Sequence, residues 1–264
     1  MKAKQFVLSL LTVMLLLSAC APLETPPEDN EQSLDVKNNT EQELLPDINQ
    51  SGELTLEVYE INLGRPGMKE GEFNTTIGSS EEILKRREAW REELMVEDIP
   101  RINGEELHAI EQFDNNKATV IVELAGKEVL SIDCGDISPI NNLRGKWVSG
   151  DDWYVEIVYV NAWSEEQFSK GDIYKNGQSL NEEEGYDESF DFQILNGKIF
   201  YFFSKDGKLG YNYAGVESAL DYDNIPHHLC CSGSTNNPRH YPKMVTFFGG
   251  KDDKSYYIEL GVFD

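Results

Sequence analysis

From Leu54 onward the chain is built of short runs in which apolar and polar residues alternate. Leu54, Leu56 and Val58 alternate with Thr55, Glu57 and Tyr59, and Ala118, Val120, Val122 and Leu124 line one face opposite Thr119, Ile121 and Glu123. A period of two predicts half-buried strands. Further strands are expected at Lys127 to Asp133, Trp153 to Val160, Met244 to Phe248 and Tyr256 to Phe263. The densest pattern runs from Gly185 to Asp223. There Phe190, Phe192 and Ile194 alternate with Ser189, Asp191 and Gln193, and Asn196-Gly197 and Asp206-Gly207 punctuate the run. Both pairs accept the positive φ of two-residue hairpin turns. Between them Ile199 to Phe203 is continuously apolar, which predicts a strand buried on both faces, with Phe200 and Phe202 on one side and Tyr201 and Phe203 on the other.

One helix is expected before these strands. Ser79-Ser80-Glu81-Glu82 has the capping-box pattern, and Ile83, Trp90 and Leu94 share a helical face up to about Val96. The expected fold class is therefore all-β with one N-terminal helix. Gly126, Gly177 and Gly215 each follow a strand, each is followed by an acidic strand end at Asp133, Asp187 or Asp223, and apolar strands opening at Lys146, Lys198 and Lys243 lead to aromatic pairs. This irregular repeat predicts antiparallel units in a meander, arranged as a propeller or as a sandwich. A propeller needs at least about four units, and the fourth is expected from Leu54 to Phe113. Lys205-Asp206-Gly207-Lys208-Leu209-Gly210-Tyr211, with Gly215 and Leu220 to Asp223, resembles one WG (KWG) repeat, with Leu209 where that family has Trp. The resemblance implies a β-rich fold and no catalytic residues.

The first residues change the picture of where the chain works. Lys2 and Lys4 precede an apolar run, Phe6 to Leu17, that is too short to span a membrane, and Leu17-Ser18-Ala19-Cys20 follows. This order resembles a bacterial lipobox, which implies removal of residues 1–19 and acylation of Cys20. The expected organisation is a signal peptide over 1–19, a disordered acidic tether over 20–50, a strand–helix–strand part over 51–114 and a β-repeat domain over 115–264. Pro22, Pro26, Pro27 and Pro46 among acids and amides motivate the tether. The expected location is extracytoplasmic, with the membrane engaged through the lipid. A formal net charge of −25 argues against nucleic acid as a partner.

Candidate chemistry is sparse. No phosphate-cradling glycine loop, G-x-S-x-G or H-E-x-x-H is present, and no cofactor is expected. Trp147, Trp153, Tyr154 and Trp163 are candidates for stacking on a ligand. Pro226-His227-His228-Leu229-Cys230-Cys231, with His240 nearby, gathers three of the four histidines into a possible functional loop. No metal is expected there, because adjacent residues should not all point at one ion. Cys134, Cys230 and Cys231 allow a vicinal disulfide, a Cys134 bridge or reduced thiols. The expected function is binding of an envelope or extracellular ligand by a tethered β domain. The alternatives are an envelope hydrolase using histidines and carboxylates, and a structural lipoprotein.

Overall fold

The structure, a computed structural model, describes residues 47–51, 53–61, 99–137, 140–161, 168–228 and 237–262. The protein is all-β. Its strands form four antiparallel sheets. Two strands, β1 (Asp47–Ser51) and β2 (Leu54–Ile61), come first in the chain. The first sheet is then β3 (Arg101–Ile102), β4 (Glu105–Asp114), β5 (Lys117–Leu124) and β6 (Lys127–Asp136). The second is β7 (Leu143–Ser149), β8 (Asp152–Asn161), β9 (Phe168–Lys175) and β10 (Gln178–Ser179). The third is β11 (Glu188–Leu195), β12 (Lys198–Lys205), β13 (Lys208–Tyr213) and β14 (Val216–Ala219). The fourth runs β15 (Arg239–Tyr241), β16 (Met244–Lys251) and β17 (Lys254–Gly261), and is completed by β2 and β1.

Turn chemistry sets the hairpins. At Ala125-Gly126, Asn176-Gly177, Asn196-Gly197, Asp206-Gly207 and Ala214-Gly215 both residues have positive φ, the conformation that matches the twist of adjoining strands. Ala125-Gly126, Asn176-Gly177 and Ala214-Gly215 all join the third strand of a sheet to its fourth. The glycine repeat in the sequence therefore marks a true structural repeat. The aromatic pairs do not keep that register: Trp153-Tyr154 lie in the second strand of their sheet, and Tyr211, Tyr213, Tyr256 and Tyr257 in the third strands of theirs.

Successive sheets pack face to face. Leu107, Val120 and Val122 of the first sheet share a core with Trp153, Val155 and Ile157 of the second. Tyr154 and Ile173 of the second meet Phe192, Tyr201 and Phe203 of the third. Phe190, Phe200 and Phe202 of the third meet Leu54, Val245, Phe247 and Ile258 of the fourth. The strand β12 is thus buried on both faces, with Phe200 and Phe202 opposite Tyr201 and Phe203, as alternation requires.

Two expectations are corrected. Leu54–Ile61 does not open the first unit; β2 pairs with β17 from Ile61↔Ser255 to Thr55↔Gly261. The first sheet begins at Arg101 instead. The four meanders follow one another in chain order, and the last is completed by β2 and β1. The last residues of the stretch read as tether also form structure, since Asp47–Ser51 pairs with Leu54–Val58. The helix expected at Ser79 to Val96 lies outside the described residues. A short helix the sequence did not suggest, α1 (Leu180–Glu184), is capped by the Ser179 side chain, which accepts from the Glu182 N–H. No helix among the described residues is long and apolar enough to cross a membrane.

Candidate functional site

The site is organised by an interruption in β11. Its register against β12 shifts between Phe190 and Gln193, and Asp191 has φ 62°. This bulge corrects the expected alternation: Phe190 faces the fourth sheet and Phe192 the second. It also removes amides from the ladder, and a buried amide must find another acceptor. Glu156 of β8 supplies it. Its Oε1 accepts from the Asp191 N–H (3.0 Å) and its Oε2 from the Phe192 N–H (2.8 Å). Glu156 is only 2% exposed, and burial pushes its carboxyl up to about 7, with the nearby Asp191 charge adding to the rise.

The bulge also aims Asp191. Its Oδ1 lies 2.6 Å from Nε2 of His240 on β15, while its Oδ2 is buried with no hydrogen-bond partner among the described residues. The His240 side chain is 39% exposed. Loss of solvent opposes its charge, but the Asp191 carboxylate, with Glu156 behind it, holds its pKa above the ordinary value.

His227 and His228 arrive from the segment between β14 and β15. Asn237 anchors that segment: its Nδ2 donates to the carbonyls of Pro226 (2.6 Å) and Phe248 (3.3 Å), and its Oδ1 accepts from the Phe248 N–H (2.8 Å). His227 stacks on Phe190 at 3.7 Å and 4°. Its Nδ1 faces the Ile225 carbonyl (2.5 Å) and its Nε2 faces Glu188 Oε1 (3.1 Å). Both partners only accept, so both ring nitrogens donate and the ring is an imidazolium. Burial opposes that charge, yet Glu188 raises the pKa. Glu188 itself is fixed by the Gly171 N–H, which donates to the same oxygen at 2.6 Å.

His228 is the opposite case. Its φ is 55°, its side chain is 5% exposed, and its Nε2 lies 3.5 Å from Glu156 Oε1 without a hydrogen bond. Burial, the His227 charge and Arg144 hold its pKa well below the ordinary value, so its ring is neutral. The left-handed turn places adjacent rings side by side, 4.7 Å apart and edge to face. One ligand atom each from Glu188, His227 and His228 lie within 4.8 Å of one another. The spacing argument against a shared ion at these two histidines is therefore corrected: it assumes extended backbone, where neighbouring side chains diverge.

Sequence reasoning named the three histidines but missed Glu156, Glu188 and Asp191. The one signal for the bulge is an Asp among strand aromatics, since Asp tolerates positive φ better than most residues. The other sequence candidates fall elsewhere. Trp153 is buried in the core between the first two sheets, and Trp147 packs on Phe192 at 4.9 Å. Tyr154 is 3% exposed and stacks on Phe192 at 4.5 Å, at the wall of a cleft shared with Lys175, Tyr201 and Glu217. Trp153 and Tyr154 are thus core anchors, a correction to the expected stacking role: strand aromatics with a sheet on each side fill the space between sheets. Cys134 is a buried free thiol whose pKa burial pushes up to about 11, which makes it inert. Cys20, Trp163, Cys230 and Cys231 lie outside the described residues.

No protein-family model matches the chain, and no curated protein matches it. Of the WG-like residues, Lys205 ends β12, Asp206-Gly207 and Gly215 sit in the turns on either side of β13, Lys208–Tyr211 open β13, and Leu220–Asp223 follow β14.

Proposed function

We propose that this chain is a lipoprotein held on the outer side of a bacterial membrane by an acylated Cys20, and that its β domain is a binding module. Its ligand meets the cluster of Glu156, Asp191, His227, His228 and His240, with Glu188 as the supporting carboxylate. The observation that carries the reading is this convergence: three histidines and three carboxylates from the second, third and fourth sheets and one connecting segment. Burying so many titratable groups together costs stability, and perturbed groups gather at functional sites. The net charge of −25 favours cationic or metal-bearing ligands.

A hydrolase is the second reading, favoured by the Asp191–His240 pair and the partial exposure of His240. An orienting carboxylate behind an accessible imidazole is the acid–base half of such a site. Among the described residues, however, no hydroxyl or thiol is hydrogen-bonded to His240, so binding is the better reading.

The test has two arms. Radiolabelled palmitate should enter the wild-type chain and not Cys20→Ala; equal labelling of both rejects the anchor. For binding, the full chain in detergent is melted with divalent cations, organic acids, sugars and short peptides. A ligand at about 100 times its Kd adds about 2.7 kcal/mol of stability. At least one class should raise the wild-type Tm by several degrees, with the rise lost in Asp191→Asn or Glu188→Gln. No shift from any class, or equal shifts in both variants, rejects the cluster as the binding site. Ester or glycoside turnover abolished by His240→Ala would favour the hydrolase.

A further inference from the structure

Glu188, His227 and His228 have the composition and surroundings of a metal centre. Metal-bound imidazoles usually donate their second ring nitrogen to a carbonyl or carboxylate, which fixes the ring. The Nδ1 of His227 already does this toward the Ile225 carbonyl at 2.5 Å, and a metal ion at Nε2 would displace the proton that Nε2 now donates to Glu188. The Glu188 carboxylate is fixed in turn by the Gly171 N–H. His228 contributes a buried imidazole whose Nε2 makes no hydrogen bond. An imidazole nitrogen left unpartnered inside a polar cluster is costly, and one ring nitrogen of His228 lies within 4.8 Å of the other two donors.

We propose that Glu188, His227 and His228 bind one divalent borderline metal ion of the Zn²⁺ class. Two imidazoles and a carboxylate suit Zn²⁺, Ni²⁺, Cu²⁺ or Fe²⁺, whereas Ca²⁺ and Mg²⁺ prefer oxygen alone and Cu⁺ prefers sulfur. Tetrahedral ligation at ~2.1 Å puts donors ~3.4 Å apart. His227 Nε2 and Glu188 Oε1 meet that spacing at 3.1 Å. Across the trio the donors spread to 4.8 Å, so closure asks for a movement of about 1.4 Å, that excess over the tetrahedral spacing. Three protein ligands leave a position open to water or to a ligand carried with the metal.

The inference deepens the reading of the cluster as the binding site and rests on it. The full chain in detergent, stripped by a chelator, is titrated with Zn²⁺ in competition with a chromogenic chelator, and Co²⁺ is used as a spectroscopic probe. One Zn²⁺ should bind per chain. Glu188→Gln, which keeps shape and a hydrogen-bond acceptor, and His228→Ala should each weaken binding on the order of 100-fold or more, the upper limit for loss of a mere supporting contact. His108→Ala, on the first sheet and paired with Glu106, should bind as the wild type does. Near-ultraviolet circular dichroism confirms that each variant is folded. The Co²⁺ form should show visible d–d bands without a thiolate charge-transfer band. Absence of stoichiometric Zn²⁺, binding unaffected by both ligand variants, or a thiolate band pointing to Cys230 or Cys231 would each overturn the site. A non-metal ligand whose stabilisation depends on Asp191 would keep the binding reading and leave the metal inference rejected.

Discussion

Glu156 carries two jobs in one carboxylate. It accepts the two amides that the β11 bulge takes out of the ladder, and it stands against His228. Each buried amide left without an acceptor costs about 1–3 kcal/mol. Glu156→Ala should therefore lower the unfolding free energy by about 2–6 kcal/mol, the sum for two amides, while Glu156→Gln, which keeps one acceptor oxygen, should cost roughly half. Urea unfolding of the three chains checks this. A cost under about 1 kcal/mol for Glu156→Ala, below the range for even one orphaned amide, would mean the bulge does not depend on Glu156. At this scale the sequence was a poor guide. With 48 acidic residues, nothing local distinguishes the three that reach the histidines, because each does so from a strand remote in the chain.

Elements were more legible than contacts. The Asn-Gly, Asp-Gly and Ala-Gly pairs specify their own backbone, so hairpins could be read directly. The strand Lys198–Lys205 announced its burial on both faces through five consecutive apolar residues. What alternation could not reveal is a bulge, which changes face without changing composition, and the phase of the aromatic pairs, which depends on which strand of a sheet they occupy. The contact between β9 and β11 is equally hidden, although it fixes Glu188. A Cβ on Gly171 would fall 2.5 Å from the Ser189 carbonyl oxygen and 3.0 Å from Phe190 Cβ. Beside it Asn181 Nδ2 donates to the Gly171 carbonyl and Ser189 Oγ accepts from the Ile173 N–H. Nothing there can give way cheaply. Gly171→Ala should destabilise by about 1–3 kcal/mol through overpacking and weaken ligand binding at Glu188. Thermal melts and the ligand titration check both effects. Wild-type stability in Gly171→Ala would show that the two strands are less closely apposed.

At the scale of the molecule, chain order gives three of the four sheets, and the fourth needs β2 and β17 together. β17 pairs along its length with β2, so the last sheet forms only when Leu54–Ile61 has returned to it. The sequence repeat could not show this, since a closing strand carries the same alternation as any other. The site inherits the dependence, because His240 stands on β15 of that last sheet while Asp191 stands on β11 of the third. The most direct measurement is therefore of that pair: ¹⁵N-histidine NMR of the chelator-treated full chain, titrated with pH. Asp191 raises the His240 pKa, so the pair should add stability that is complete below the unfolded histidine value of about 6.5 and fades as pH rises through the higher folded value. His240 should remain doubly protonated above the ordinary range, and Asp191→Asn should bring its titration down. If His240 titrates at the ordinary value in the wild type and Asp191→Asn leaves it unmoved, the two sheets do not bring these residues together and the site proposed here does not exist.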